Sequence, residues 1–222
     1  MLNWWSRRRT PPVELDVLDA YARWAVDYAP EAHNPIMRLE EQAVLGLLPE
    51  APSRRALDLA CGSGRYLNRL AGAGASRLLG VDFSRPMLAR AAASGRPLVQ
   101  ADLLHLPLAP ESFDLIVCGL AVGHVVNLTG AIAEMARVLE PGGLLVYSDF
   151  HPFGALLGWK RSFRVAGGGE YAARHHVHLY TTHQAACQAA GLCIDAVREP
   201  RIDVDHAYRG YPAVLVIRAV KP

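Results

Sequence analysis

With 222 residues, 51% of them apolar and 20% charged, the chain has the size and composition of a globular α/β domain with an ample core. A formal charge of +2 offers no basic surface for nucleic acid, and no apolar run approaches the ~20 residues that cross a bilayer. The arginines near the N-terminus precede no secretory-type apolar stretch, and Cys61, Cys118, Cys187 and Cys193 form no C-x-x-C pair, so buried reduced thiols in a cytoplasmic protein are expected.

Residues 1–12, with Arg7, Arg8, Arg9, Pro11 and Pro12, read as a solvated tail ahead of a domain covering 13–222. A first helix is expected over Val13 to Tyr28, with Leu15, Leu18, Ala22 and Ala25 at helical spacing beside a stripe of Tyr21, Trp24 and Tyr28. Asn34-Pro35 supplies an N-cap and first-turn proline for a second helix, closing a helical cover over residues 13–50. From Arg55 onward strands and helices alternate, which predicts an α/β fold with a doubly wound, mostly parallel seven-stranded sheet. Predicted strands are Arg55 to Ala60, Arg77 to Phe83, Pro97 to Ala101, Phe113 to Leu120 and Leu144 to Ser148. Helices intervene, and one halts at Pro141-Gly142-Gly143. Residues 151–180 lack the alternation and read as a substrate-side insertion in which Gly167-Gly168-Gly169 divides a hairpin. A helix over Thr182 to Ala190 and strands near Cys193 to Arg198 and Ala213 to Val220 complete the chain.

Open parallel sheets bind ligands outside the carboxyl ends of their strands. Here those ends carry Gly62, Asp82, Asp102, His124 and His151. Strand, Gly62-Ser63-Gly64 turn and helix let a backbone approach a ligand closely at a helix N-terminus. A dinucleotide motif would need a third glycine where Leu67 stands. Asp58, four residues before Gly62, suits bound waters or a ligand ammonium instead. Asp82, twenty residues after Gly62, is placed to accept both ribose hydroxyls of a nucleoside.

Leu57-Asp58-Leu59-Ala60-Cys61-Gly62-Ser63-Gly64-Arg65 resembles motif I of the class I S-adenosylmethionine-dependent methyltransferases, in the variant of the ubiquinone-type and biotin-pathway branches. Asp82, Asp102-Leu103, Leu139-Glu140-Pro141-Gly142-Gly143 and the Tyr21-Ala22-Arg23-Trp24-Ala25 helix fit the same pattern, although Tyr66 stands where some relatives carry a third glycine. The resemblance implies S-adenosylmethionine as cofactor, held by Tyr21, Asp58, Ala60, Gly62, Gly64, Asp82, Phe83, Asp102, Leu103 and Cys118. Within it Asp82 takes the ribose, Asp102 the adenine amine and Tyr21 the methionine carboxylate. A purely structural role for Tyr21, Trp24 and Tyr28 stands beside that reading.

Methyl transfer from a sulfonium needs alignment and exclusion of water, and a hydroxyl acceptor gains from a general base. His151 and then His124 are the candidates. His175, His176 and His178 lack a nearby carboxylate set and are read as a substrate-facing strand, so no metal is expected. The leading expectation is methyl transfer to oxygen of a small molecule by a monomer or homodimer with no nucleic-acid or membrane partner. Carboxyl methylation of a malonyl thioester and N- or C-methylation are the alternatives within the class. A nicotinamide-dependent oxidoreductase and a silent S-adenosylmethionine-binding protein are the alternatives outside it.

Overall fold

The structure, a computed structural model, describes residues 11–166, 168–204 and 207–222. The tail expected at residues 1–12 therefore lies, except for Pro11 and Pro12, outside the described residues, as does Gly167 of the glycine run.

The chain begins with a short strand β1 (Val13–Leu15), followed by α1 (Val17–Trp24) and α2 (Pro35–Leu45). Next come β2 (Arg55–Leu59), α3 (Arg65–Gly72), β3 (Arg77–Asp82), α4 (Arg85–Ala91) and β4 (Leu98–Gln100). Then follow β5 (Phe113–Cys118), α5 (Leu128–Val138), β6 (Leu139–Phe150), α6 (Pro152–Leu156), β7 (Ser162–Arg164) and β8 (Glu170–Ala173). The last elements are α7 (Tyr180–Ala189), β9 (Cys193–Arg198) and β10 (Val214–Val220).

Seven strands form one sheet in the order β4-β3-β2-β5-β6-β10-β9. The run β4 to β6 is parallel, and β10 runs antiparallel to both of its neighbours. Because side chains alternate across a strand, each central strand feeds two cores. Leu57, Ile116, Tyr147 and Ile217 pack on one face with Ile132 and Met135 of α5 and Cys187 of α7. Ala56, Leu115, Val117, Val146 and Val216 pack on the other with Val44 of α2, Leu67 and Leu70 of α3 and Met87 of α4. Three cysteines are buried, whereas Cys193, on the edge strand β9, is exposed.

Several boundaries differ from the sequence expectation for identifiable reasons. The helix expected over Val13 to Tyr28 is split: Val13–Leu15 pair in parallel with Tyr171–Ala173 of β8, and α1 starts only after Asp16, whose carboxylate accepts the Leu18 N–H at 3.2 Å. The apolar spacing there served a strand and a helix in succession. Strand β6 begins at Leu139, since Leu139 pairs with Phe113 before a register shift, and Gly142 donates to the Lys221 carbonyl at 2.7 Å. Helix α7 opens two residues early, its first turn closed by Thr182 N–H on the Leu179 carbonyl at 2.8 Å.

The hairpin expected within residues 151–180 forms from β7 and β8, with Gly168 and Gly169 both at positive φ beside the turn. β1 joins it as a third strand, making a second sheet in the order β1-β8-β7. Trp24 of α1 stacks flat on Phe163 of β7, with ring centroids 4.6 Å apart and planes within 5°. The N-terminal cover and the segment after β6 thus meet over the carboxyl edge of the main sheet.

Candidate active site

Strand order reverses between β2 and β5, and a cleft of about 430 Å³ opens there. One wall is the turn after β2. Ala60 and Gly62 both have φ +55°, and a Cβ built on Gly62 would meet the Met87 Cε at 3.3 Å. Only glycine holds that backbone without strain while leaving room for a ligand. At the end of β3 the Asp82 carboxylate accepts Gly62 N–H at 2.8 Å through Oδ2 and Ser84 N–H at 2.7 Å through Oδ1. Burial pushes the Asp82 carboxyl upward, and these backbone donors pull the other way. Each oxygen keeps a lone pair for a further donor. Asp102, Leu103 and Phe83 continue the wall.

The floor is the segment after β5. Leu120 sits at φ +54°, a sparsely populated conformation for a branched residue. Its N–H donates to Ser148 Oγ at 2.8 Å, and Ser148 in turn donates to Glu40 Oε1 at 2.6 Å. Glu40 is fully buried and pairs with Arg65 at 2.7 Å. Burial opposes the Arg65 charge, yet the Glu40 carboxylate holds it firmly protonated.

Tyr21, His124 and Arg161 close the cleft from above. The His124 Nδ1 lies 2.9 Å from the Arg174 carbonyl and must donate to it, which fixes Nε2 as the acceptor. Tyr21 Oη is 3.0 Å from that Nε2 and donates to it. Burial, and next the Arg161 charge, push the imidazole well below its ordinary range, so His124 is neutral at pH 7. Burial raises the Tyr21 phenol, with Arg161 offsetting part of the effect.

Eight of the residues singled out from sequence share this cleft: Tyr21, Ala60, Gly62, Asp82, Phe83, Asp102, Leu103 and His124. Asp58 lies beneath it, fully buried, with Oδ2 accepting the Leu67 N–H at 2.8 Å at the start of α3. Gly64 caps α3 at φ +92°, and Cys118 is wholly buried in the core with its thiol pushed up by that burial.

His151 is placed elsewhere. β6 runs on to Phe150 against β10, and the His151 N–H donates to the Ala213 carbonyl at 3.1 Å. That turns the imidazole into a separate hollow with Glu199, Arg201, Arg209 and Tyr211. Its Nδ1 accepts from Phe153 N–H at 3.2 Å and its Nε2 meets Glu199 at 3.2 Å. A strand ending at Ser148 would have left His151 free at the ligand edge, whereas β6 continues to Phe150.

The histidines near residue 176 are also accounted for. His175 pairs with the buried Asp149 at 2.9 Å, His178 donates to the Val125 carbonyl at 2.9 Å, and the His176 backbone N–H donates to Gly123. No group of three His, Cys, Asp or Glu converges as a metal site among the described residues. Sequence reasoning missed Arg161, Glu40 and Leu120. Arg161 reaches the cleft only through the hairpin, and Glu40 lies in an otherwise amphipathic helix, so neither leaves a local signal.

A methyltransferase domain family matches residues 57–147, the span that carries Asp58, Gly62, Asp82 and Asp102. The chain is 34% identical over 172 residues to a malonyl-(acyl-carrier protein) O-methyltransferase of Methylococcus capsulatus, covering 75% of this chain and 60% of that protein. It is 39% identical over 113 residues to a demethylmenaquinone methyltransferase of Mycolicibacterium vanbaalenii, covering 51% and 49%. The chain thus spans roughly half to three fifths of the length of these curated relatives. An S-adenosylmethionine-dependent methyltransferase from Mesorhizobium loti superposes with a TM-score of 0.68 at 28% identity, over 82% of this chain and 97% of that one.

The strands and helices define an open, doubly wound α/β domain with a cleft at the point of strand reversal. Residues 57–147 match the methyltransferase domain family, and the chain as a whole is similar to S-adenosylmethionine-dependent methyltransferases. No helix among the described residues is long and apolar enough to cross a membrane.

Proposed function

We propose that the chain methylates a small molecule at oxygen, using S-adenosylmethionine bound in the cleft between β2 and β5. The observation that carries the reading is the gathering of Gly62, Asp82, Asp102 and Leu103, from three strand ends, into one cavity. The residues present suit this cofactor. Asp82 has lone pairs left for two ribose hydroxyls, Asp102 lies at the far end for the adenine amine, and Phe83 and Leu103 offer apolar surface to the ring. Gly62 leaves the backbone open to the methionine portion. Asp58 supports this loop from below through Leu67 and makes no contact with the cleft.

When bound, the cofactor supplies a methyl group already activated on a sulfonium. The chain then has to align the acceptor, exclude water and take up a proton if the acceptor is a hydroxyl. His124 is fitted to that last task, being neutral with its Nε2 lone pair held by the Tyr21 hydroxyl, and both residues line the cleft. An acceptor hydroxyl hands its proton to His124 directly on displacing Tyr21, or to Tyr21 Oη as Tyr21 passes its own to Nε2. His151, pointing into another hollow, takes no part.

The test is a mass-spectrometric screen of phenols, alcohols and carboxylic acids incubated with the chain and S-adenosylmethionine. A product gaining one methyl, with stoichiometric S-adenosylhomocysteine, is expected. His124→Ala should then lower turnover of a hydroxyl acceptor by roughly a hundredfold with unchanged S-adenosylhomocysteine affinity. Unchanged turnover would remove His124 as base, and binding without any methylated product would leave a silent binding protein.

A further inference from the structure

A second cavity of about 430 Å³ adjoins the cofactor cleft and shares Tyr28, Leu120 and Arg161 with it. Its wall is mostly apolar and rich in rings, with Trp24, Ile36, Leu39, Phe150 and Trp159 drawn from the N-terminal cover, α2, β6 and the segment after it. Aromatic walls of this kind match flat apolar groups through offset or edge contacts.

Donors interrupt the apolar lining, Arg161 and Trp159 among them. Arg161 holds its guanidinium 5.2 Å from the Phe150 ring centroid and 5.7 Å from that of Tyr21, and donates to the Leu120 carbonyl. Among the described residues it pairs with no carboxylate. Its sequence neighbour Lys160 lies 3.4 Å from Glu14, and Arg174 lies within 4 Å of Glu14 and Asp16. Trp159, on the same cavity, has a buried indole N–H with no acceptor among the described residues. A guanidinium presents five N–H groups in a planar fork suited to a carboxylate, and one half-buried between rings pairs more strongly than one in water.

We propose that this cavity is the acceptor site and that the acceptor is an organic acid with a flat apolar body. Its body lies against Trp24, Ile36 and Leu39, and its carboxylate is received by Arg161 where the two cavities join. Because Arg161 bonds the Leu120 carbonyl at the end of β5, an acid held there presents its polar end to the cofactor cleft. The assignment rests on the cofactor reading above only for the identity of the neighbouring ligand.

The test uses 2-naphthoate and its uncharged counterpart 2-naphthamide as probes, titrated calorimetrically into the chain saturated with S-adenosylhomocysteine. The acid should bind roughly tenfold or more tightly than the amide. Arg161→Met should abolish that preference, Arg161→Lys should retain part of it, and Leu39→Trp should block both probes by filling the cavity. Leu39 lies off the cofactor cleft, so Leu39→Trp should leave S-adenosylhomocysteine affinity as in the parent chain, and both Arg161 variants should still unfold cooperatively. Equal affinity for acid and amide, or a preference that survives Arg161→Met, overturns the proposal. So does loss of S-adenosylhomocysteine binding in Arg161→Met with the acid still bound, since Arg161 would then serve the cofactor. If the parent chain binds no S-adenosylhomocysteine, the cofactor reading fails. The naphthoate comparison without it still decides the nature of this cavity.

Discussion

Asp58 lies fully buried under the Gly62 turn, with Oδ2 accepting the Leu67 N–H and Oδ1 without a partner among the described residues. Burial dominates and pushes its carboxyl up to about 8, with the Leu67 donor and then the Arg65 charge pulling partly back. A folded value above the ordinary 3.8 means that the native state binds the extra proton. The resulting stability is complete below pH ~4 and is lost as pH rises towards about 8. Asp58→Asn keeps the shape and the acceptor while removing the titration. Its advantage over the parent chain in urea unfolding should therefore grow from pH 4.5 to pH 8 and level off above. An advantage independent of pH would mean that Asp58 is ionised in the fold. At this scale the sequence was informative wherever function follows from local spacing. Gly62, Asp82 and Asp102 could be placed at the cleft because each lies at or just past the carboxyl end of a strand. Arg161, Glu40 and Ser148 could not, because they meet the site through contacts between segments many residues apart.

Elements were legible where their ends carry chemical signals. Asn34 caps α2 as its side-chain type predicts, accepting the Met37 N–H at 2.9 Å ahead of Pro35. The start of α1 was misread because Leu15 and Leu18 keep helical spacing while β1 answers to a partner, β8, more than 150 residues away. His151 was expected at the ligand edge and lies off it for the related reason that β6 is lengthened by pairing with β10. Helix α7 supplies a test of packing at this scale. Its His183 is fully buried, with its ring 5.6 Å from Tyr147 and 5.9 Å from His178. Burial lowers the imidazole from 6.5 to about 4, so the unfolded chain takes up a proton there before the native state does. Stability from this residue is thus whole above pH ~6.5 and lost as pH falls towards about 4, opposite in sign to Asp58. His183→Phe should raise the melting temperature relative to the parent chain at pH 5 and leave the difference small at pH 7.5. The same difference at both pH values would show that His183 is not held neutral by the packing of α7 on β6.

Across the whole molecule, the parallel strands aim their carboxyl ends at one edge, and α1 with the β1-β8-β7 sheet covers that edge. The pattern of alternating elements made the main sheet readable. The small sheet was only half readable, since β7 and β8 pair locally whereas β1 joins from the far end of the chain. On the reading proposed above, the cleft at the β2–β5 reversal holds S-adenosylmethionine with Asp82 on its ribose. Calorimetric titration of S-adenosylhomocysteine into the parent chain and into Asp82→Ala, with NAD as the control ligand, tests it most directly. Saturable binding of S-adenosylhomocysteine is predicted, weakened by about 1.5–3 kcal/mol in Asp82→Ala through loss of a charge-assisted acceptor, with no binding of NAD. Equal affinity in the two chains, or binding of NAD in place of S-adenosylhomocysteine, would contradict it.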